Sequence, residues 1–117
     1  MAAPNIVGVT TITGKTAVLA VTTVATAIVA NPGASNKAFK INALYVSNID
    51  GTNAADISID LFRGGIAYRI SSAISVVANT TVDVISKSIY LEEGDSLRLT
   101  ASANGDLEAV CSYEEIS

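Results

Sequence analysis

The sequence predicts an all-β fold: a single antiparallel β-sandwich of the jelly-roll type, with about eight to ten short strands in one domain over residues 1–117. Three observations lead to this prediction. β-Branched residues dominate the apolar segments, and their stiff side chains favour strands. Turn residues recur at short intervals between those segments. No segment carries apolar residues at the three- and four-residue spacing of a long amphipathic helix.

The turns divide the chain into strand candidates. These are residues 5–12, 16–22, 24–30, 39–46, 56–62, 66–70, 80–85, 89–91, 97–103 and 107–113. Residues 16–22 and 24–30 form either two strands or one long bent strand, and residues 73–79 connect the strands on either side of them. Residues 1–15 are a candidate N-terminal arm of the single domain.

Residues 56–62 show the clearest strand pattern, because apolar and polar side chains alternate there. We expect one face of this strand to be buried and the other to meet solvent. The inward set is Ile57, Ile59 and Leu61, and the outward set is Asp56, Ser58 and Asp60.

The last two strand candidates raise a question of register. Asn104-Gly105 favours a two-residue hairpin turn, which would place Glu108 on the face that holds Leu97 and Leu99. A three-residue loop over 104–106 pairs apolar residues instead: Leu99 with Cys111, Ala101 with Ala109, and Leu97 with Tyr113. Because a slip of one residue reverses every side chain, we predict the odd-length loop.

Gly14-Lys15-Thr16 is the ending of a nucleotide-binding P-loop, but five residues separate Gly8 from Gly14 where that motif requires four. We interpret the tripeptide as a turn between two strands. The apolar run that follows, residues 17–30, is too short for a spanning helix of about 20 residues. The first fourteen residues carry no charged side chain, so a signal peptide is not expected.

The composition points to contacts with other proteins. Only 15% of the residues are charged and 50% are hydrophobic, whereas ordinary soluble domains are about a quarter charged. Residues 1–49 carry three lysines and no acid, while residues 50–117 carry eleven acids against four basic residues, which together give the net charge of −4. Without a basic cluster, nucleic acid is not expected as a partner. A membrane is not expected either, because the apolar run is too short to span one.

Catalytic chemistry has few candidates. The chain has no histidine and one cysteine, Cys111, which removes the usual nucleophile–base pairs and most zinc and iron sites and leaves a buried thiol as the expected role. Asp56 and Asp60 would stand about 13 Å apart on one strand, too far for a glycosidase pair. We therefore predict no enzyme activity, no catalytic or metal-binding residues and no cofactor.

Three weaker alternatives remain open. Glu92, Glu93 and Asp95 in one turn could hold a weak calcium ion. Asn79-Thr80-Thr81 has the form of a glycosylation site. The four tyrosines could form a sugar-binding platform: Tyr45, Tyr68, Tyr90 and Tyr113.

Two segments carry a resemblance: SIYLEEGDSLRLTASANGDLEAVCSYEEIS, residues 88–117, and ALYVSNIDGTNAADISIDLFRGGIAYRI, residues 43–70. Both resemble small virion proteins of tailed bacteriophages, over roughly residues 40–117 in all. The resemblance implies a non-enzymatic β-sandwich subunit of a phage particle, found in the virion and assembled in the cytoplasm of the bacterial host. It brings no functional residues with it.

The functional expectation that follows is a capsid decoration or cement protein. Its expected partners are the major capsid protein or other virion proteins, together with copies of itself, with a trimer as the expected oligomer by analogy. Residues 1–31 hold a single charged side chain, Lys15, so this region is the expected contact with the shell or with sister subunits. A neck, tail or fibre component is the alternative, and a carbohydrate-binding sandwich is the second alternative.

Overall fold

A computed structural model describes residues 8–117, which fold almost entirely into antiparallel strands. The prediction of an all-β antiparallel fold is confirmed. The strands are β1 (Ile12–Val21), β2 (Thr26–Ala30), β3 (Ala38–Asn48), β4 (Ala55–Arg63), β5 (Ile66–Val76), β6 (Thr81–Asp83), β7 (Ile89–Leu91), β8 (Ser96–Ala101) and β9 (Leu107–Ile116).

The strands form two sheets. The first sheet has the order β1-β9-β3-β6, with β7 also paired to β3, and the second has the order β2-β8-β4-β5. β6 and β7 pair with the two ends of β3, so together they make one interrupted edge. Successive strands thus alternate between the sheets over much of the chain, an order compatible with the predicted jelly-roll type.

The core lies between the inner faces of the two sheets. The largest completely buried side chains include Ile41 and Leu44 from the first sheet and Ile57, Ile59 and Leu99 from the second. The alternation predicted for β4 holds for its two central isoleucines. Asp60, expected to face solvent, is buried, because the Arg98 side chain from the neighbouring strand β8 covers it and pairs with it.

Gly14-Lys15-Thr16 is not a turn, and this prediction was wrong. The tripeptide lies inside β1, where Gly14 pairs with Glu114 and Thr16 with Ser112 of β9. β9 pairs with β1 without interruption from Ile12 to Val21, so the chain stays extended through this tripeptide. Residues 5–7 of the first strand candidate lie outside the described residues, and residues 9–11 are not in a strand. Within the candidate arm, Ile12–Lys15 belong to β1.

The predicted pairing of the last two strands was also wrong. β8 belongs to the second sheet and β9 to the first, so residues 102–106 cross between the sheets and do not close a hairpin. The predicted faces were nevertheless correct for Leu99, Ala101, Ala109 and Cys111, all of which are buried. Leu99 and Ala101 face the first sheet across the core, and Ala109 and Cys111 face the second. They do not lie side by side in one sheet.

Most other bounds agree with the sequence within a few residues. Residues 16–22 and 24–30 fall on two strands, β1 and β2, which belong to different sheets. The predicted connection over residues 73–79 is shorter than expected, since β5 extends to Val76. Gly64 and Gly65 form the predicted turn between β4 and β5, both with positive φ.

The loop over residues 31–36 is fixed by a buried amide. Asn31 is almost completely buried, and its Nδ2 donates to the carbonyls of Lys37 and Leu91 at 2.8 and 3.1 Å. Ser35 Oγ donates to Asn31 Oδ1 at 2.6 Å. With its polar atoms bonded, the side chain anchors the entry to β3 against the end of β7.

Candidate interaction surface

The outer face of the first sheet carries three exposed apolar side chains in one line. β1 pairs Val18 with Val110 of β9, and β3 pairs Tyr45 with the same Val110. These side chains are 74%, 41% and 45% exposed, respectively. We call Val18, Val110 and Tyr45 the apolar row. Side chains directly opposite on adjacent strands are close neighbours, so the row is one continuous patch across three strands.

A shallow groove adjoins the apolar row. It has a volume of about 260 Å³ and is lined by Val18, Leu19, Ala20, Glu108, Ala109 and Val110. Five of its six lining residues are apolar, and Glu108 is the one charged group among them. The groove therefore suits an apolar protuberance of another protein better than a charged small molecule.

The residues around the row are sparsely charged. Tyr45 pairs with Asp83 of β6, so that carboxylate lies at one end of the row. Lys15 of β1 lies on the same face of the strand as the inward-facing Ala17 and Leu19, and its Nζ lies 2.9 Å from Oε2 of Glu115. Lys15 is therefore tied to the end of β9 and does not charge the outer face.

Glu115 receives two lysines. Lys37 Nζ lies 3.1 Å from its other carboxylate oxygen, Oε1. The hydrogen bond from Lys15 holds the pKa of Glu115 below its usual value, and the same bond raises the pKa of Lys15. The lysines of the first half of the chain thus meet an acid of the second half within the molecule, so part of the uneven charge along the sequence is balanced internally.

The turn proposed as a weak calcium site is occupied by an arginine. Arg63 Nε donates to Asp95 Oδ1 at 2.8 Å, its Nη2 also contacts Asp95 Oδ2, and Nη2 donates to Glu92 Oε2 at 2.9 Å. The hydrogen bonds from Arg63 lower the pKa of Asp95, which is almost completely buried. The carboxylates of this turn are therefore arranged around a guanidinium group. Residues 8–117 contain no group of three potential ligands placed to hold a metal ion.

The remaining polar candidates lie in three different surroundings. Asp60 is bound by Arg98 Nε at 2.9 Å, and the same guanidinium lies 4.0 Å from the centre of the Phe62 ring. Cys111 is completely buried, and this burial raises the pKa of its thiol to about 11. A thiol in that state is a poor nucleophile. Asn79 of the candidate glycosylation site is exposed in the turn before β6.

The four tyrosines do not form one platform. Tyr45 and Tyr90 lie on the first sheet and Tyr68 on the second, while the Tyr113 ring packs on Phe39 with the ring centres 5.7 Å apart. A sugar-binding platform needs aromatic rings side by side, and these rings are divided between the two sheets and the core.

A second exposed apolar group lies on β5. Ile66, Tyr68 and Ile70 are 54%, 53% and 40% exposed. They belong to a single strand at the edge of the second sheet, and Arg69 interrupts them in sequence. The apolar row differs because it spans three adjacent strands, which gives a broader contact area.

Sequence reasoning found only part of the candidate surface. Val18 lies in the region expected to contact other proteins, but Val110 and Tyr45 were not singled out as contact residues. The three positions are separated by tens of residues in the chain, and only the pairing of β1, β9 and β3 aligns them. Each of these side chains is an apolar residue at an outward position near the centre of its strand. A search of the sequence for that pattern would have identified them.

Comparison with known proteins bears on the fold. No protein-family model matches the chain, and no curated protein sequence matches it. Among solved structures, the chain is similar to one from Bacillus endospore appendages, described as a novel family of disulfide-linked pili. The TM-score is 0.53 and the identity 17%, covering 90% of this chain and 87% of that one. At this identity the likeness shows a shared fold. No helix between residues 8 and 117 is long and apolar enough to cross a membrane.

Proposed function

We propose that this chain is a non-enzymatic structural subunit of a bacteriophage particle, a decoration or cement protein that stabilises the capsid shell through its contacts. The observation that carries the proposal is the apolar row, an uncharged patch across three strands on the outside of the first sheet. Exposed apolar patches rimmed by polar groups typically mark protein–protein contact sites. The resemblance of residues 43–70 and 88–117 to phage virion proteins supplies the kind of particle.

The major capsid protein is the proposed partner for the row. Burial of apolar surface contributes about 25 cal/mol per Å², and a specific interface buries about 1,600 Å² in total. The row and its groove would form the apolar centre of such an interface, with Glu108 and Asp83 at its polar rim. The stabilisation would come from area buried across the joints of the shell and would require no chemical step.

A component of the neck, tail or fibre is the second candidate. The fold likeness to a subunit of pili favours it, because pili are built from repeated subunits. A disulfide link between copies is an unfavourable route for this chain, since Cys111 is buried in the core. The carbohydrate-binding alternative has less support, because the tyrosines are dispersed over the fold.

Copy number separates the two candidates. We expect quantitative mass spectrometry of purified particles of the encoding phage to find hundreds of copies of the chain per particle. A dozen or fewer copies would assign it to the neck or tail. Complete absence from the particles would refute both candidates.

A charged substitution in the row tests the surface itself. We expect Val110→Lys to reduce binding to shells that lack the protein by at least tenfold, because a lysine would be buried without a partner. Val77→Lys is the matched control: Val77 is also a well-exposed valine, but it lies in the loop between β5 and β6, outside the region expected to contact other proteins. Equal binding of the two variants would contradict a role for the row.

A further inference from the structure

The edges of the two sheets differ in how they are protected. An edge strand presents unpaired backbone N–H and C=O groups, which can pair with another strand. Natural proteins block such pairing with short strands, irregular register, or charged and proline residues along the edge. The edges here are β1 and the interrupted β6 and β7 in the first sheet, and β2 and β5 in the second.

Three of these edges carry a protective feature. β6 and β7 have only three residues each. β2 has five residues and its register shifts between Ala27 and Val29. β5 is long, but its pairing with β4 shifts twice, Ala73 has a φ of 51°, and Arg69 lies in its middle.

β1 carries none of these features. It has ten residues, and its register with β9 is unbroken from Ile12 and Ile116 to Val21 and Leu107. It contains no proline, and its single charged residue is Lys15. Since the Lys15 ammonium group is paired with Glu115, its charge is partly neutralised. A long, regular and nearly uncharged edge is the geometry that favours addition of another strand.

We propose that β1 pairs with β1 of a second copy of this chain, antiparallel and about a two-fold axis, so that two first sheets join into one continuous sheet. Among the edges that the structure describes, β1 is the one suited to pairing with another strand. The strand that matches it best is therefore β1 of a second copy. A contact of one surface with itself is isologous and closes as a dimer.

The sequence of β1 is compatible with pairing to itself. Antiparallel pairing centred on Ala17 places Lys15 opposite Leu19 of the second copy and Val18 opposite Thr16 of the second copy, so no like charges meet. On the outer face, the apolar row of one copy then lies beside the apolar row of the other. The dimer would therefore present one broad apolar surface made from two rows.

This inference does not depend on the kind of particle that contains the chain. It also differs from the trimer expected by analogy, because a two-fold contact between identical strands joins two copies only. The mass of the purified protein in solution distinguishes the two arrangements.

The test compares the full-length protein with two variants by sedimentation equilibrium. We expect a wild-type dimer, and we expect Val18→Lys to weaken dimerisation at least tenfold, because the two introduced lysines would lie diagonally across the two-fold axis on the same face and repel each other. Val77→Lys, in the loop between β5 and β6, should match the wild type. Val18 is 74% exposed, so Val18→Lys should keep the circular dichroism spectrum and melting temperature of the wild type.

Hydrogen exchange tests the same contact without a substitution. Amides of residues 12–21 should exchange more slowly as the protein concentration rises, while those of residues 26–30 should show no such change. A trimer, or a monomer at high concentration, would overturn the proposal. Slow exchange in β1 that does not depend on concentration, in a monomer, would also overturn it and would assign the edge to another part of the same chain.

Discussion

At the scale of single residues, Asp95 shows how this protein uses its few charges. The side chain is 1% exposed, accepts hydrogen bonds from Arg63 and from the backbone N–H of Glu92, and links the end of β4 to the turn before β8. The sequence placed Asp95 in an acidic turn with Glu92 and Glu93, and the bond from the N–H of Glu92 closes that turn. The arginine could not be predicted, because Arg63 lies 32 positions away and reaches the turn only when the second sheet has formed.

Removing the charge of Asp95 should lower stability at neutral pH. We expect Asp95→Asn to reduce the free energy of unfolding by about 2 kcal/mol, within the range for hydrogen bonds to charged groups. Arg63 holds the pKa of Asp95 below its usual value, so the folded protein binds fewer protons in acid than the unfolded chain does. The stabilisation by the Asp95 carboxylate is therefore fully present above the pKa of about 3.9 that an Asp has in the unfolded chain. It is lost as the pH falls through the lower pKa of Asp95 in the folded protein.

Urea unfolding of wild type and Asp95→Asn between pH 7 and pH 2.5 measures this contribution. The difference between the two proteins should be largest near neutral pH and should shrink below about pH 4. Glu108→Gln, which removes an exposed carboxylate, is the control and should change the free energy of unfolding by less than about 0.5 kcal/mol. A difference for Asp95→Asn that stays constant over this range would show that the ion pair does not stabilise the fold.

At the scale of strands, the sequence predicted which face of a strand is buried better than it predicted which strands pair. Alternating side chains identified the buried residues of β8 and β9, because burial on one side of a strand imposes a period of two. The same alternation cannot tell a hairpin from a connection that crosses between sheets, since Leu99 and Cys111 are buried in either case. Asn104-Gly105 favoured a hairpin locally, but the pairing of β9 with both β1 and β3 determines its place.

The turn between β4 and β5 offers a test at this scale. Gly65 has a φ of +77°, which L-residues adopt at a cost of about 1 to 2 kcal/mol. We expect Gly65→Ala to lower the free energy of unfolding by about that amount. Gly33→Ala is the matched control, because neither position has an atom within 4 Å of the added methyl group and Gly33 does not have a left-handed φ.

Thermal unfolding of the two glycine variants decides this point. Gly33→Ala should leave the melting temperature unchanged or raise it slightly, since alanine restricts the unfolded chain. If Gly65→Ala were as stable as Gly33→Ala, the turn would not require the left-handed conformation that the structure shows.

At the scale of the whole molecule, the outer surface is where sequence reasoning reached its limit. Low charge indicated contacts with other proteins, but composition gives no location. The apolar row depends on three strands that come from the beginning, middle and end of the chain, and their order in the sheet follows from the complete topology. The fold does not identify the partner either, because one sandwich architecture serves many functions.

Two exposed apolar surfaces are candidates for the contact site in an assembled particle. One is the apolar row on the first sheet, and the other is the group Ile66, Tyr68 and Ile70 on β5. Each surface contains one tyrosine of similar exposure, 45% for Tyr45 and 53% for Tyr68. These two side chains are therefore matched reporters of the two surfaces.

The most direct test is hydroxyl-radical footprinting of the two tyrosines in the free protein and in the assembled particle, read by mass spectrometry. If the chain acts through the outer face of its first sheet, Tyr45 should lose most of its labelling on assembly while Tyr68 keeps its own. Equal labelling of Tyr45 in the free and assembled states would contradict the proposed contact surface.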